Sequence, residues 1–377
     1  MNAFSPLTFN PRAVVVAIPV HNEEEHIAAC LESLARQDYA SPFAVVAFLN
    51  NCTDATVATI RRLTSRLPFR LYAPERRLDP DQANAGMARR LAVREAQDIV
   101  AADGVVLTTD ADSRMPPDWI SAHMAMIEAG ADAVAGMVEM DSTDAAALPG
   151  WLLEDEDRAQ AFGTLLDEID WRIDPDPHDP WPRHIQHSGA NIAVRAAALA
   201  RVNGIPGVPL GEDRALFAEL RRMDARIRHS RQGVVTVSGR LEGRAKGGMA
   251  DTIARRMREP DEWLDDCFEP AADRLRRASL RAALRQAWRT GDVDVEPLAG
   301  RLLVSSSLLR GILSQVTFGN VWGDLENTSP VLRHRMVRAV DLEKETGKAR
   351  ATLRSLRGTG ENDAQVYPAD SERFVSA

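Results

Sequence analysis

The sequence predicts an α/β fold: a mostly parallel sheet with helices on both faces, followed by a mainly helical C-terminal region. Three observations carry this expectation. Over the first 140 residues, strand-length apolar runs alternate with segments of helical period. Polar residues gather directly after three of those runs, and from Met249 onward the chain reads mostly as helix.

Ala13 to Ile18 is a valine-rich apolar run, as in a strand buried on both faces. A helix is expected from Asn22 to Arg36, with Asn22 as cap, Glu25 at the capping-box position, and Ile27, Cys30, Leu31 and Leu34 on one face. Phe43 to Leu49 reads as the second strand, followed by a helix with Val57, Ile60 and Leu63 inward that stops at Pro68. A short strand at Phe69 to Tyr72, a helix over Asn84 to Ala101 and a strand at Val105 to Thr109 come next. Pro116-Pro117 opens another helix, with Trp119, Ile120, Met124 and Ile127 inward, and Ala133 to Val138 is again strand-like. Trp151 to Trp171 is an acidic helix candidate, ahead of a proline-rich loop from Asp174 to Pro182. Ile192 to Val194 begins a strand or helix, and Val234 to Val237 reads as a strand. The division expected is 1–250 for the sheet domain, 251–357 for a helical extension and 358–377 for a polar, disordered tail.

With 45% hydrophobic and 27% charged residues, the 377-residue chain has ample material for a core. Its charge of 46 − 55 = −9 argues against nucleic acid as a partner. Cys30, Cys52 and Cys267 show neither metal-ligand spacing nor a disulfide framework, as expected of a cytoplasmic chain. No signal peptide is read at the N-terminus, and no run approaches the ~18 apolar residues of a membrane span. An amphipathic surface helix leaves no such run, so peripheral contact at the inner face of a membrane stays open.

In open parallel sheets, ligands bind beyond the carboxyl ends of the strands. Pro19, His21, Asn22 and Glu23 follow the first strand, and Asn50, Asn51, Thr53 and Asp54 the second. Asp110, Asp112 and Ser113 follow the Val105 strand. Alone, Asp110-Ala111-Asp112 reads as a turn with a cap. Placed in this series, two carboxylates straight after a buried strand suit Mg²⁺ or Mn²⁺, which take a few carboxylates together with phosphate oxygens and water.

Six segments in order resemble the inverting glycosyltransferases of family 2, over about residues 12 to 250. They are Ile18-Pro19-Val20-His21-Asn22-Glu23-Glu24, Asn50-Asn51-Cys52-Thr53-Asp54-Ala55-Thr56, Asn84-Ala85-Gly86, Thr109-Asp110-Ala111-Asp112, Gly189-Ala190-Asn191 and Gly211-Glu212-Asp213. The resemblance implies a GT-A fold with a Rossmann-like sheet, a nucleotide-diphosphate-sugar donor and a divalent metal. It implies Pro19, Asn22, Glu23 and Asn50 around the nucleotide, with Asn84 and Gly86 also on the donor side. It makes Asp110 a ribose or metal contact, Asp112 the principal metal ligand, Asp213 the general base and Glu212 its neighbour. Gly189, Ala190 and Asn191 are expected near the sugar or acceptor. Many members carry aspartate where Asn50 stands; asparagine keeps the hydrogen bond and loses the charge.

The segment from Ser238 to Gly248 packs Arg240, Arg244 and Lys246 among four glycines. Arginines at this spacing, also seen in related sequences, suit a diphosphate, with a solvated basic loop as the competing reading. His187 as an acceptor contact and His229 as a further metal ligand are weaker candidates. Trp151, Trp171 and Trp181 read as packing before sugar platforms, and Glu154 to Asp157 as a solvated helix face. A sugar-phosphate nucleotidyltransferase would carry a glycine-rich basic loop after the first strand, where this chain has Pro19 to Glu25. A non-catalytic binding protein is the other alternative; Asp110, Asp112 and Asp213 argue against it. The acceptor, a hydroxyl compound, is unspecified by the sequence.

Overall fold

The computed structural model describes residues 14–244, 247–291 and 294–358. Eight strands form one sheet: β1 (Val14–Val20), β2 (Phe43–Asn50), β3 (Arg70–Tyr72), β4 (Glu75–Arg76), β5 (Val105–Thr108), β6 (Ala133–Met140), β7 (Ile192–Arg195) and β8 (Ile227–Val237). Their order is β3-β2-β1-β5-β7-β6-β8, with β4 continuing the β3 edge along β2. All pairs are parallel except those of β7, which runs antiparallel between β5 and β6. The mostly parallel sheet is as expected. A single reversed strand in the middle is what sequence alternation cannot show, because Ile192 to Val194 is apolar on both faces either way.

The sheet is buried on both faces. Val14, Val16 and Ile18 face the helices Ile27–Ala35 and Trp119–Glu128, while Val15 and Ala17 face the helices Ala85–Gln97 and Glu212–Arg222. The run of fully buried residues along β1 is the cause: both alternating sets need cover.

The first helix differs from expectation. It spans Ile27–Ala35, and Asn22 is not its cap. Asn22 takes a left-handed conformation (φ 54°), which asparagine tolerates, and turns the chain sharply after β1. Its side-chain Oδ1 accepts instead from the Thr53 amide at 2.8 Å. Asn51 repeats the device after β2 (φ 52°), bonded through its side chain to the backbone of Leu78.

The helix Gly150–Ile173 packs with Ala271–Thr290 and Leu342–Arg357 around Phe162, Leu166, Ile169, Phe268, Val337 and Leu353. A further cluster lies wholly among the helices from Leu280 to Leu332. Within the acidic run, Glu156 is not solvated: it is buried and paired with Arg256 at 2.7 Å. The expected tail beyond Gly358, Ala13 of the first strand, and Ala245 and Lys246 of the basic loop lie outside the described residues. No helix among the described residues is long and apolar enough to cross a membrane.

Candidate functional site

The carboxyl ends of β1, β2 and β5 open into one cleft of about 2270 Å³. Two chain turns tie its floor together. The Glu23 amide donates to Thr56 Oγ1 at 2.8 Å, and Glu24 accepts from the Ala55 amide at 2.7 Å. His21 Nδ1 lies 2.8 Å from the Asn50 carbonyl. The loops after β1 and β2 are therefore one interlocked unit. Pro19, Glu23 and Asn50 line the cleft from it. Asn50 is 4% exposed, and its side-chain Oδ1 is buried without a hydrogen-bond partner. A buried orphan acceptor costs free energy unless something donates to it, and this one lies on the cleft wall.

Two arginines organise the carboxylates. Arg89, buried in the helix Ala85–Gln97, bonds Asp110 Oδ1 (2.6 Å), Glu212 Oε1 (2.7 Å), Thr108 Oγ1 (3.0 Å) and the Gly189 carbonyl (2.8 Å). Burial alone would lower its pKa, but the charges of Asp110 and Glu212 outweigh that and raise it. Arg240, on the loop after β8, grips Glu23 in a two-pronged pair (2.7 and 2.8 Å) and reaches Asp112 Oδ2 at 3.1 Å.

Asp110 is the more open of the pair after β5, at 35% side-chain exposure against 17% for Asp112. The Asp112 carboxyl is pushed up to about 7 by burial and by the Asp110 charge, with Arg240 pulling the other way. Glu23, Asp110, Asp112, Glu212 and Asp213 thus crowd the cleft, and among the described residues the cationic side chains that pair with them are Arg89 and Arg240. Uncompensated negative charge in this amount fits a hard divalent cation held by one or two carboxylates. Among the described residues no cluster of three or more histidine, cysteine or acidic side chains forms a complete protein cage.

The opposite wall comes from the helix Glu212–Arg222. Gly211 enters it in a left-handed conformation (φ 74°), which brings Glu212 under Arg89 and Asp213 toward the cleft. Asp213 accepts from the Gly189 amide (2.9 Å) and the Arg214 amide (2.7 Å). Burial, then the Glu212 charge, raise its pKa above the ordinary carboxylate value, increasing its basicity. Gly189 is required where it stands, since a Cβ there would lie 2.5 Å from the Arg89 guanidinium carbon.

Asn84 and Arg244 also line the cleft, as does Trp151. Four expected residues do not line it. Asn22 locks the β1 turn to Thr53. Gly86 lets the backbone at Val208 approach, its would-be Cβ lying 2.0 Å from that carbonyl. Ala190 is buried, and Asn191 is a structural bracket whose side chain bonds Trp119 Nε1 and the carbonyls of Met137 and Gly233. His229 bonds Asp179 (2.7 Å) and His187 (3.1 Å), and His187 also contacts Arg221 (2.7 Å). None of these four residues lines the cleft.

Arg89 is the residue that sequence reasoning missed. Its signal was available: it falls between Ala85, Ala92 and Val93 on the inward face of its helix, where a lone charge demands partners.

Comparison with known proteins follows this geometry. Residues 15–150 match the model of glycosyl transferase family 2. No curated protein matches the chain. Among solved structures, residues 1–349 of S. aureus TarS in complex with UDP-GlcNAc are 18% identical, with 85% of this chain and 90% of that one covered and a TM-score of 0.45. A mannosyltransferase of Pyrobaculum calidifontis in complex with GDP-Man and Mn²⁺ is 18% identical over 95% of this chain and 78% of that one, at TM-score 0.41. Glucosyl-3-phosphoglycerate synthase of Mycobacterium tuberculosis is 18% identical over 67% and 82%, also at 0.41. The ligands in those structures are their own. The matched residues 15–150 span β1 through β6 and both aspartates after β5, so this part of the chain is similar to glycosyl transferase family 2.

Proposed function

We propose that the protein transfers a sugar, with inversion, from a nucleotide-diphosphate sugar to an acceptor hydroxyl, with Asp213 as general base. The observation that carries this reading is the Arg89 bridge. It fixes Asp110, on the donor side of the cleft, to Glu212, the neighbour of Asp213, through bonds of 2.6 and 2.7 Å. Donor and base are thereby held at a set separation across one opening, the requirement for a single in-line displacement.

On this reading the nucleotide lies over the β1 and β2 ends, and Asn50 Oδ1 accepts a hydrogen bond from an N–H of the base. Asp112 and Asp110 would hold Mg²⁺ or Mn²⁺, which when bound offsets the charge of the diphosphate. Arg240 and Arg244 stand on a glycine-rich loop beside that position and suit the same phosphates. The acceptor oxygen attacks the anomeric carbon, its proton passes to Asp213, and the carbon–oxygen bond to the diphosphate breaks. The leaving group departs as the nucleoside diphosphate, so no second acid is needed. The raised basicity of Asp213 serves this step. Residues 1–250 would supply donor site and base, and 251–357 an extension that forms the outer wall of the cleft.

Calorimetry and turnover with a panel of nucleotide sugars and Mn²⁺ test the assignment. Asp112→Asn is expected to abolish metal-dependent donor binding. Asp213→Asn is expected to keep donor binding and lower turnover by about 10²- to 10⁴-fold. Equal loss of donor binding in both variants would contradict the roles given, and retention of anomeric configuration in the product, read by NMR, would exclude single displacement.

A further inference from the structure

The cleft is more than twice the ~300–1,000 Å³ of an ordinary small-molecule site. Its inner end holds the carboxylates joined by Arg89 and Arg240, and its outer end sets exposed apolar side chains among charged ones such as Asp261, Glu343 and Arg350. Of the ten exposed large apolar side chains among the described residues, five line this one cleft: Trp151, Leu210, Trp263, Met336 and Val340.

Three of these five belong to one built element. Trp263 and Arg338 form an isolated antiparallel bridge, closed by Leu264 N–H to the Val337 carbonyl and Ala339 N–H to the Glu262 carbonyl, both at 2.9 Å. Residues opposite each other in such a bridge share a face, and so do residues two apart along either chain. Trp263 and Met336 therefore stand together on one side, and Val340, in the short 3-10 turn Ala339–Asp341 that follows the bridge, lines the same cleft. They are 44%, 42% and 79% exposed, while Val337 on the other side is buried at 2% among Phe162, Phe268 and Leu353. The apolar face is held out by an anchored strip.

The strip is continuous with the catalytic end. Asp265, two residues beyond Trp263, pairs with Arg214 at 3.1 Å, and Arg214 follows Asp213 directly. A molecule with its hydroxyl at Asp213 would lay the rest of its length along this wall.

We propose that the outer cleft is an acceptor subsite for an amphiphile: a hydroxyl-bearing head at Asp213 and an apolar body against Trp263, Met336 and Val340, with Trp151 also lining the cleft. This rests on the reading of Asp213 as the base. A polyhydroxylated glycan is a poor occupant, since methionine and valine side chains offer it no hydrogen bonds and its hydroxyls would lose water without compensation. An alkyl or isoprenoid body loses nothing there and gains from leaving water.

The test uses n-alkyl β-glucosides of increasing chain length below their micelle-forming concentrations, titrated by calorimetry beside UDP and GDP with Mn²⁺. Saturable binding is expected, each added methylene tightening it about two- to fourfold, while maltotriose at equal concentration shows none. Trp263→Ala/Val340→Ser, and separately Val340→Asp, are expected to weaken the longest glucoside at least tenfold and leave nucleotide binding unchanged. Maltotriose binding as tight as the glucosides, no dependence on chain length, or unaltered binding in both variants would overturn the proposal. So would a wild-type dimer that the double variant converts to monomer in sedimentation, which would assign the strip to a second copy. Intact nucleotide binding without glucoside binding removes the amphiphile alone. Glucoside binding without any nucleotide binding removes the donor reading, and with it the acceptor role.

Discussion

Arg89 and Arg240 each join two of the cleft carboxylates, and they do so in opposite ways. Arg89 comes from the middle of a helix, is 7% exposed at its side chain, and has partners on all sides. Arg240 comes from a loop rich in glycine, is 23% exposed, and among the described residues its side chain pairs with Glu23 and Asp112. The first is scaffold: nothing in the reaction could replace it without unpairing two carboxylates. The second is a counter-ion that a metal could displace from the carboxylates, or a phosphate draw away from them, at small cost, because solvent and a pliable backbone receive it. Similar chemistry thus acts as a rivet in one place and as an exchangeable ligand in the other.

The largest expected effect breaks the rivet. Arg89→Met should destabilise the protein by about 3–5 kcal/mol, because it leaves buried negative charge uncompensated. Denaturant unfolding measures it, and a loss no greater than that of Arg240→Met would erase the distinction. Gly189→Ala should cost about 1–3 kcal/mol, since its methyl meets a guanidinium that four hydrogen bonds hold still. Insensitivity at this position would mean that Arg89 gives way after all.

Arg240→Met should cost less stability than Arg89→Met, since the Arg240 side chain is 23% exposed and on a loop, yet change the response to metal. Relieved of the competing cation, Asp112 together with Asp110 should bind Mn²⁺ more tightly, so the thermal shift on adding Mn²⁺ should exceed that of the wild type. A smaller shift would make Arg240 a helper of the metal rather than its rival.

The smallest effect sets a background that neither arginine controls. His184 is held down to about 3 by burial and by His229, and His123 to about 4 by burial. Both are neutral when folded and protonated below pH 6.5 when unfolded, so the unfolded state binds more protons there. Stability should be full above about pH 6.5 and fall as pH drops from 6.5 toward those folded values, by up to ~1.4 kcal/mol per pH unit for each histidine. His184→Asn should flatten that limb in urea titrations at fixed pH; an unchanged slope would assign it to other groups.

The strand-end side of the cleft was legible because its residues are local to strand ends. An apolar run followed at once by Asn22-Glu23, Asn50-Asn51 or Asp110-Ala111-Asp112 places polar groups beyond a buried strand whatever the topology. The helix expected at Asn22 failed for a related reason. Glu25 at the right spacing imitates a capping box, but the Thr53 amide, 31 residues away, competes for the same Asn22 oxygen and holds it. Asn191 misled in the same manner: its motif was real, and its side chain turned out to serve Trp119.

By itself the sequence determined the alternation of strands and helices, the crowding of carboxylates at their ends and the resemblance of residues 15–150 to glycosyl transferase family 2. These follow from periodicity and short motifs, which need no partner distant in the chain. Only the tertiary structure decided that Arg89 spans from Asp110 to Glu212, that β7 runs against its neighbours, and that Trp263 faces the same opening as Asp213. Each of these depends on which surfaces meet when two hydrophobic faces and several buried charges must be satisfied together, and that is settled by packing across the whole chain.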